Sequence, residues 1–338
     1  MRPTVAILGA TGMVGRTMLG ILEQRGFPLG ELRLLASERS ADRTMRFGGV
    51  EVPVQAVSEA AFQGVTLALF ATSAELSRQW APIAQAAGAC VVDNSSAFRM
   101  EPGVPLVVPE VNGHVLEGRP TLVANGNCVA IPLVMTLQPL RALAAPQRVV
   151  VSSYQSVSGA GAEAMAELDR GVRLGLEGAP PARPDGRPPF AYNVIAHIDR
   201  FDDEGWTGEE RKIVAETRRM LGLPDLAVVP TSVRVPVRVG HSASVVATFD
   251  RPVTVADAHA AWGAFPGVRV MDDPAHERYP TPLAAAGLDD VLVGRARRDP
   301  SDANTLVWFF SSDNLRKGAA LNAVQIAERW LTASATTR

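Results

Sequence analysis

The chain has 338 residues, with 33 lysines and arginines against 35 aspartates and glutamates (net charge −2), 47% hydrophobic residues and two cysteines. At roughly 150 residues per domain this length suggests two domains, and the balanced charge leaves no electrostatic footprint for nucleic acid or an anionic membrane. No apolar run approaches the ~20 residues of a bilayer span, and a strand-like segment begins almost at Met1 with no room for a signal peptide, so a cytoplasmic protein is expected.

Residues 5–8 form a short apolar strand. Gly9-Ala10-Thr11-Gly12-Met13-Val14-Gly15 follows, and then an amphipathic run at 18–25. Further strands are expected at 32–36, 65–70, 90–93, 106–108 and 122–124, with a helix at 76–87. This βαβ alternation implies a parallel sheet covered on both faces. After Cys128 an apolar helix should reach about residue 143, followed by a strand at 149–154 and a helix at 161–174. Residues 175–189 hold five prolines and read as an irregular surface loop. Thr207 followed by Glu209 and Glu210 looks like the capped, acidic start of a helix reaching residue 221. Alternating segments at 232–237, 244–249 and 305–310 predict a mixed or antiparallel sheet. A last helix, at 315–331, is apolar enough to pack back on the first domain.

Glycines at a strand-to-helix turn offer backbone N–H groups to a dinucleotide pyrophosphate without side chains in the way. Gly9, Gly12 and Gly15 stand in that context, although their spacing is GxxGxxG where the usual fingerprint is GxGxxG. The second strand ends in Ser37-Glu38-Arg39-Ser40. Arg39 between serines suits the 2′-phosphate of NADP, while Glu38 suits the ribose of NAD, so both cofactors stay open.

Cys128, in Asn125-Gly126-Asn127-Cys128, should sit where a helix start stabilises a thiolate, whereas Cys90 opens an apolar strand and reads as a buried filler. A thiolate enzyme needs a proton acceptor. His241, read as lying at an exposed strand end after a glycine, is the first candidate, and His197 is its rival. Only Lys212 and Lys317 are lysines among the 33 cationic residues, which marks both as places where an ammonium serves better than a guanidinium.

Together these segments resemble one family, aspartate-semialdehyde dehydrogenase in its shorter bacterial form. The resemblance rests on GATGMVG near the start, VVDNSSAFRM (91–100), PLVVPEVN (105–112), ANGNC (124–128), YQSVSGAG (154–161), EERK (209–212), VRVPVRVGHS (233–242), VGRARRD (293–299) and DNLRKGAALNAVQIAE (313–328), in the family's order. It implies reversible, NADP-dependent interconversion of 4-phospho-L-aspartate and L-aspartate 4-semialdehyde, feeding lysine, diaminopimelate, threonine and methionine synthesis. Carried onto this sequence, Cys128 is the nucleophile, His241 the acid/base and Gln155 the residue that orients the covalent intermediate. Arg99, Asn127 and Lys212 match phosphate-binding positions, Arg234 the carboxylate-binding and Glu209 the ammonium-binding position. Gly9, Thr11, Gly12, Met13, Val14, Gly15, Ser37, Arg39, Ser40 and Gln325 fall to the cofactor, and no metal is expected.

The implied fold is α/β: a Rossmann-like dinucleotide-binding domain (1–127 plus 316–338) and an α+β catalytic and dimerisation domain with a mixed sheet (128–315), assembled as a homodimer. Two departures stand out. Val129-Ala130 removes a hydroxyl usual after the cysteine, and Glu75 stands where the family has glycine. The alternatives are N-acetyl-γ-glutamyl-phosphate reductase, whose substrate has no ammonium for Glu209 to hold, and a silent nucleotide-binding paralogue, which would have lost the thiol or the histidine.

Overall fold

The computed structural model describes residues 2–333; residues 334–338, assigned by sequence to the first domain, lie outside them. The chain divides into two compact units, one of Met1–Asn127 with Ala319–Arg338 and the other of Cys128–Gly318.

The first unit carries strands β1 (Thr4–Leu8), β2 (Glu31–Ala36), β3 (Thr44–Phe47), β4 (Val50–Ala56), β5 (Leu67–Phe70), β6 (Cys90–Asp93), β7 (Leu106–Val107) and β8 (Leu122–Asn125). They form one sheet in the order β3-β4-β2-β1-β5-β6-β8-β7. Every pairing is parallel except β3 with β4. Strands β1, β5 and β6 are apolar throughout or nearly so because both faces are covered. Helix α1 (Met13–Gln24) and the C-terminal helix Leu321–Ala333 share one core with the sheet, contributing Met18, Ile21, Leu22, Val324, Ile326 and Trp330. Helix α2 (Ala74–Ala86) is capped by Ser73, which accepts from the Leu76 N–H.

The sequence missed β3 and β4. They form an edge hairpin of mostly exposed residues joined through Gly48 and Gly49, both at positive φ, so they lack the apolar run that announces a buried strand. The last helix starts at Leu321 and not at 315, because Arg316–Ala320 forms a π-helical turn.

The second unit is built on a six-stranded mixed sheet of β9 (Pro146–Gln155), β10 (Ala227–Arg234), β11 (His241–Phe249), β12 (Val268–Val270), β13 (Val291–Arg298) and β14 (Thr305–Ser312). Their order is β10-β9-β11-β14-β13-β12. β9 runs parallel to β10 and antiparallel to β11, which runs antiparallel to β14. Helices α4 (Ala130–Leu137) and α6 (Gly208–Leu221) lie in this unit with α5 (Ala162–Leu176), the first of them buried along its whole length; the short α3 (Pro109–Asn112) belongs to the first unit. Thr207 and Glu210 close a reciprocal capping box on α6, as the acidic start of that segment predicts.

Candidate active site

In the first unit the strand order reverses at β1, whose neighbours are β2 and β5, and a crevice outside strand ends at such a point takes nucleotides in open α/β sheets. The Gly9–Gly15 turn leaves the end of β1. Gly9 is at φ +84°, and a Cβ there would stand 2.3 Å from the Ala71 carbonyl oxygen. At Gly15 a Cβ would stand 2.3 Å from the Gly9 oxygen, so this glycine lets α1 approach the strand. Gly12 is the exposed N-cap of α1 and offers no side-chain acceptor, which leaves the helix start available to an anion. Thr11, Met13 and Val14 are half-buried around it. Ser37, Arg39 and Ser40 follow the end of β2, with the first two exposed. Glu75, the departure from the family pattern, is exposed in the first turn of α2. Gln325 donates to Glu110 Oε1 at 3.1 Å.

Arg99 and Asn127 are buried in the first unit, and Arg99 Nη2 donates to the Asn94 carbonyl at 2.8 Å. Beside them Asp93 is fully buried and accepts from Ser77 and Ser95, and burial raises its pKa despite those bonds.

In the second unit, strand period and strand direction assemble the site. Residues at odd positions of β9 and β11 and even positions of β10 face the covered side of the sheet. β9 and β10, being parallel, end together with Gln155 opposite Arg234, and antiparallel β11 begins at the same edge with His241. Three polar side chains thereby emerge at one buried edge, all at most 7% exposed. Its position after Gly240 predicts an exposed strand end for His241. Instead it opens its strand and is fully buried, since the turn at 235–240 precedes β11.

Arg234 Nη1 donates to the Ser156 carbonyl at 2.6 Å. Burial lowers its pKa, and the neighbouring Cys128 and Glu209 act against that shift. Glu209, on the first turn of α6, is 6% exposed and accepts from Gln155 Nε2 at 3.1 Å. Lys212, one turn on, makes its short contact with Asp199, at 2.6 Å, and stands 3.8 Å from Glu209. The lysine holds the Asp199 carboxyl below its ordinary range. Burial and then Arg234 push the His241 pKa well below 6.5.

Cys128 lies just ahead of α4, whose N-cap Val129 is fully buried and supplies no side-chain bond, so the departure at Val129-Ala130 makes the helix start apolar. Cys90 is the contrasting thiol. Its pKa is pushed up to about 12 by burial and its Sγ donates to the Pro120 carbonyl. His197 is exposed and stacks on Phe201 at 4.4 Å, while His259 and His276 pair with Asp272 and Asp273. A cavity of about 1030 Å³ opens beside Arg234, lined by Glu163, Glu167, Arg183, His197 and Asp199 among others. The proline-rich loop thus contributes a wall to this cavity.

Two glycines with no signal in the sequence belong to the site. A Cβ at Gly159 would stand 3.0 Å from Arg234 Nη1 and 3.2 Å from His241 Nε2, and one at Gly318 would stand 3.1 Å from the Cys128 Cβ. Gly318 sits in the π-helical turn, a distortion that recurs at functional sites. Lys317 beside it is buried. Among the described residues no group of three or more His, Cys, Asp or Glu side chains could hold a metal, and no helix is long and apolar enough to cross a membrane.

Family models for the semialdehyde dehydrogenase NAD-binding domain and the semialdehyde dehydrogenase dimerisation domain match residues 4–119 and 137–317. An aspartate-semialdehyde dehydrogenase from a Synechocystis species is 46% identical, with 96% of each chain covered. The chain belongs to the aspartate-semialdehyde dehydrogenase family. The crystal structure of aspartate semialdehyde dehydrogenase II from Vibrio cholerae is 42% identical, with a TM-score of 0.94 over 98% of this chain and 99% of that one. The same enzyme complexed with ASA is 41% identical, again with a TM-score of 0.94 over 98% of this chain and 99% of that one. The family's two-part plan, an NAD(P)-binding domain and a mixed-sheet dimerisation domain, is the one found here.

Proposed function

We propose that this enzyme catalyses the reversible reductive dephosphorylation of 4-phospho-L-aspartate to L-aspartate 4-semialdehyde in amino-acid biosynthesis, through a thioester on Cys128. The observation that carries the reading is the shared sheet edge of Gln155, Arg234 and His241, with Glu209 bonded to Gln155 and Cys128 acting on Arg234.

In the reductive direction the Cys128 thiolate attacks the acyl phosphate, forming the C–S bond as the C–O bond to phosphate breaks. NADP, when bound, supplies and accepts the hydride. After reduction the C–S bond of the hemithioacetal breaks, releasing the aldehyde and the thiolate. Arg234 grips the substrate carboxylate and Glu209 its ammonium, and Gln155 orients the thioester. Arg99, Asn127 and Lys212 hold phosphate, and His241 serves the reacting oxygen as acid/base.

The unit of residues up to Asn127 with the helix Leu321–Ala333 is the nucleotide domain, and the unit Cys128–Gly318, three residues longer than the sequence suggests, is the catalytic and dimerisation domain. Gly9, Thr11, Gly12, Met13, Val14 and Gly15 cradle the pyrophosphate, Ser37, Arg39 and Ser40 favour NADP over NAD, and Gln325 serves the nicotinamide side. The protein works in the cytoplasm as a homodimer. Support for the dimer is the outer face of the six-stranded sheet, where Val150, Tyr154, Val246 and Phe309 are only partly covered.

The test is absorbance at the NADPH band with L-aspartate 4-semialdehyde and phosphate, using NADP⁺ and NAD⁺ in parallel. Phosphate-dependent reduction that is lost in Cys128→Ala supports the reading. A folded protein that binds NADP⁺ yet gives no signal overturns it.

A further inference from the structure

Next to Glu209 a second buried carboxylate, Glu210, joins α6 to β10. β10 is the outer strand of its sheet, so the backbone groups on its free side need partners from elsewhere. Those of Arg234 exchange two hydrogen bonds with Ile195, at 2.7 and 2.9 Å. Two residues earlier, the Ser232 N–H instead donates to Glu210 Oε1 at 3.0 Å. The other oxygen of that carboxylate accepts from the Thr207 N–H at 2.8 Å, and the Glu210 N–H donates to Thr207 Oγ1 at 3.3 Å. Glu210, 9% exposed, thus holds the first turn of α6 to the strand that ends in Arg234. Both of its oxygens receive backbone donors that cannot reverse, so an amide in its place could serve only one of them. Glu209 precedes it and accepts from Gln155, which lies opposite Arg234 in the ladder. A closed ring therefore runs through Glu209, Glu210, Ser232, Arg234 and Gln155.

We infer that Glu210 is a positioning residue: by tying the first turn of α6 to Ser232 it fixes the spacing between Glu209 and Arg234, and so selects a substrate whose ammonium and carboxylate stand on one carbon. This inference rests on the proposed function, in which Glu209 takes the ammonium and Arg234 the carboxylate. Glu210 itself is occupied by Thr207 and Ser232, and its effect reaches the substrate through Glu209. The ammonium takes no part in making or breaking bonds. Its contact with Glu209 is therefore made alike before and in the transition state, and loosening that contact raises KM while sparing kcat. A buried staple that only stabilised the fold would lower the melting temperature and leave substrate affinity alone.

The test is a double-mutant cycle of Glu209→Gln and Glu210→Gln, read by steady-state kinetics with L-aspartate 4-semialdehyde, phosphate and NADP⁺. Glu210→Gln should raise KM for the semialdehyde about tenfold, with kcat and the KM for NADP⁺ within about twofold. Glu209→Gln should raise it at least as far. The double variant should lie within about twofold of Glu209→Gln, because once the acceptor is gone its position no longer matters. A semialdehyde KM in Glu210→Gln equal to the parent's, or two effects that multiply in the double variant, overturns the inference. Glu210→Asp, whose shorter carboxylate cannot span both N–H donors, decides by the same cycle if the glutamine variant does not fold. A parent without phosphate-dependent turnover removes the proposed function and this inference with it, whereas an active parent with multiplying effects refutes this inference alone.

Discussion

Gly159→Ala is the sharpest single perturbation of the site. The added methyl would stand 3.0 Å from Arg234 Nη1 and 3.2 Å from His241 Cε1 and Nε2, a few tenths of an ångström inside ordinary contact. The imidazole cannot retreat freely, because it is fully buried and its Nδ1 takes the Ser156 N–H at 3.0 Å. Arg234 can yield only by stretching its 2.6 Å bond to the Ser156 carbonyl. Overpacking of this size costs about 1–3 kcal/mol of stability, and a shift of under about 1 Å in reacting groups lowers rate by up to about a hundredfold. The expected outcome is kcat/KM down roughly 10- to 100-fold, equivalent to about 1.4–2.8 kcal/mol of transition-state stabilisation, with a Tm only a few degrees lower. Steady-state kinetics at the NADPH band and a thermal melt measure both. Wild-type kcat/KM with an unchanged melt would show that the space between Arg234 and His241 is roomy and would refute the reasoning.

Thr207→Ala opens the capping box on α6 and should cost about 1 kcal/mol, read from urea unfolding, while KM rises because Glu209 sits on the loosened first turn. The depressed His241 pKa makes the folded state refuse a proton that the unfolded chain takes below 6.5. Stability is therefore unaffected above that value and falls by about 1.4 kcal/mol per pH unit below it. Urea titrations at pH 7.5 and 5.5 should show a smaller acid loss in His241→Gln than in the parent, and equal losses would refute the shift. Arg39→Ala should raise KM for NADP⁺ about tenfold or more and leave that for NAD⁺ within twofold; parallel changes would remove Arg39 from 2′-phosphate recognition.

The parallel sheet of the first unit was readable because its central strands are short apolar runs separated by helix-period segments, and Thr207 announced α6 through its acidic successors. Strands β12 and β13 and the helix Val255–Ala264 went unread. β13 ends in Arg295-Ala296-Arg297-Arg298, which looks like a charged loop, and β12 has only three residues. Within the site, residue type and spacing exposed Cys128 and a candidate histidine. They could not show the burial of His241, which depends on the register of β11 against β9 and β14. The close approaches at Gly159 and Gly318 were hidden for a similar reason, since each is defined by a partner distant in sequence.

Because β9 and β10 are parallel neighbours, the chain must cross over between Gln155 and Ala227. That excursion carries the proline-rich loop, Asp199, Glu209 and Lys212, while Gln155, Arg234 and His241 stay on the ladder. Of the side chains of this unit proposed to hold substrate, Glu209 and Lys212 thus lie on the crossover and Arg234 on the ladder. The proline-rich stretch of the crossover can therefore change in length or charge without disturbing the ladder, whereas one inserted residue in β9, β10 or β11 would turn Gln155, Arg234 or His241 to the wrong face of the sheet.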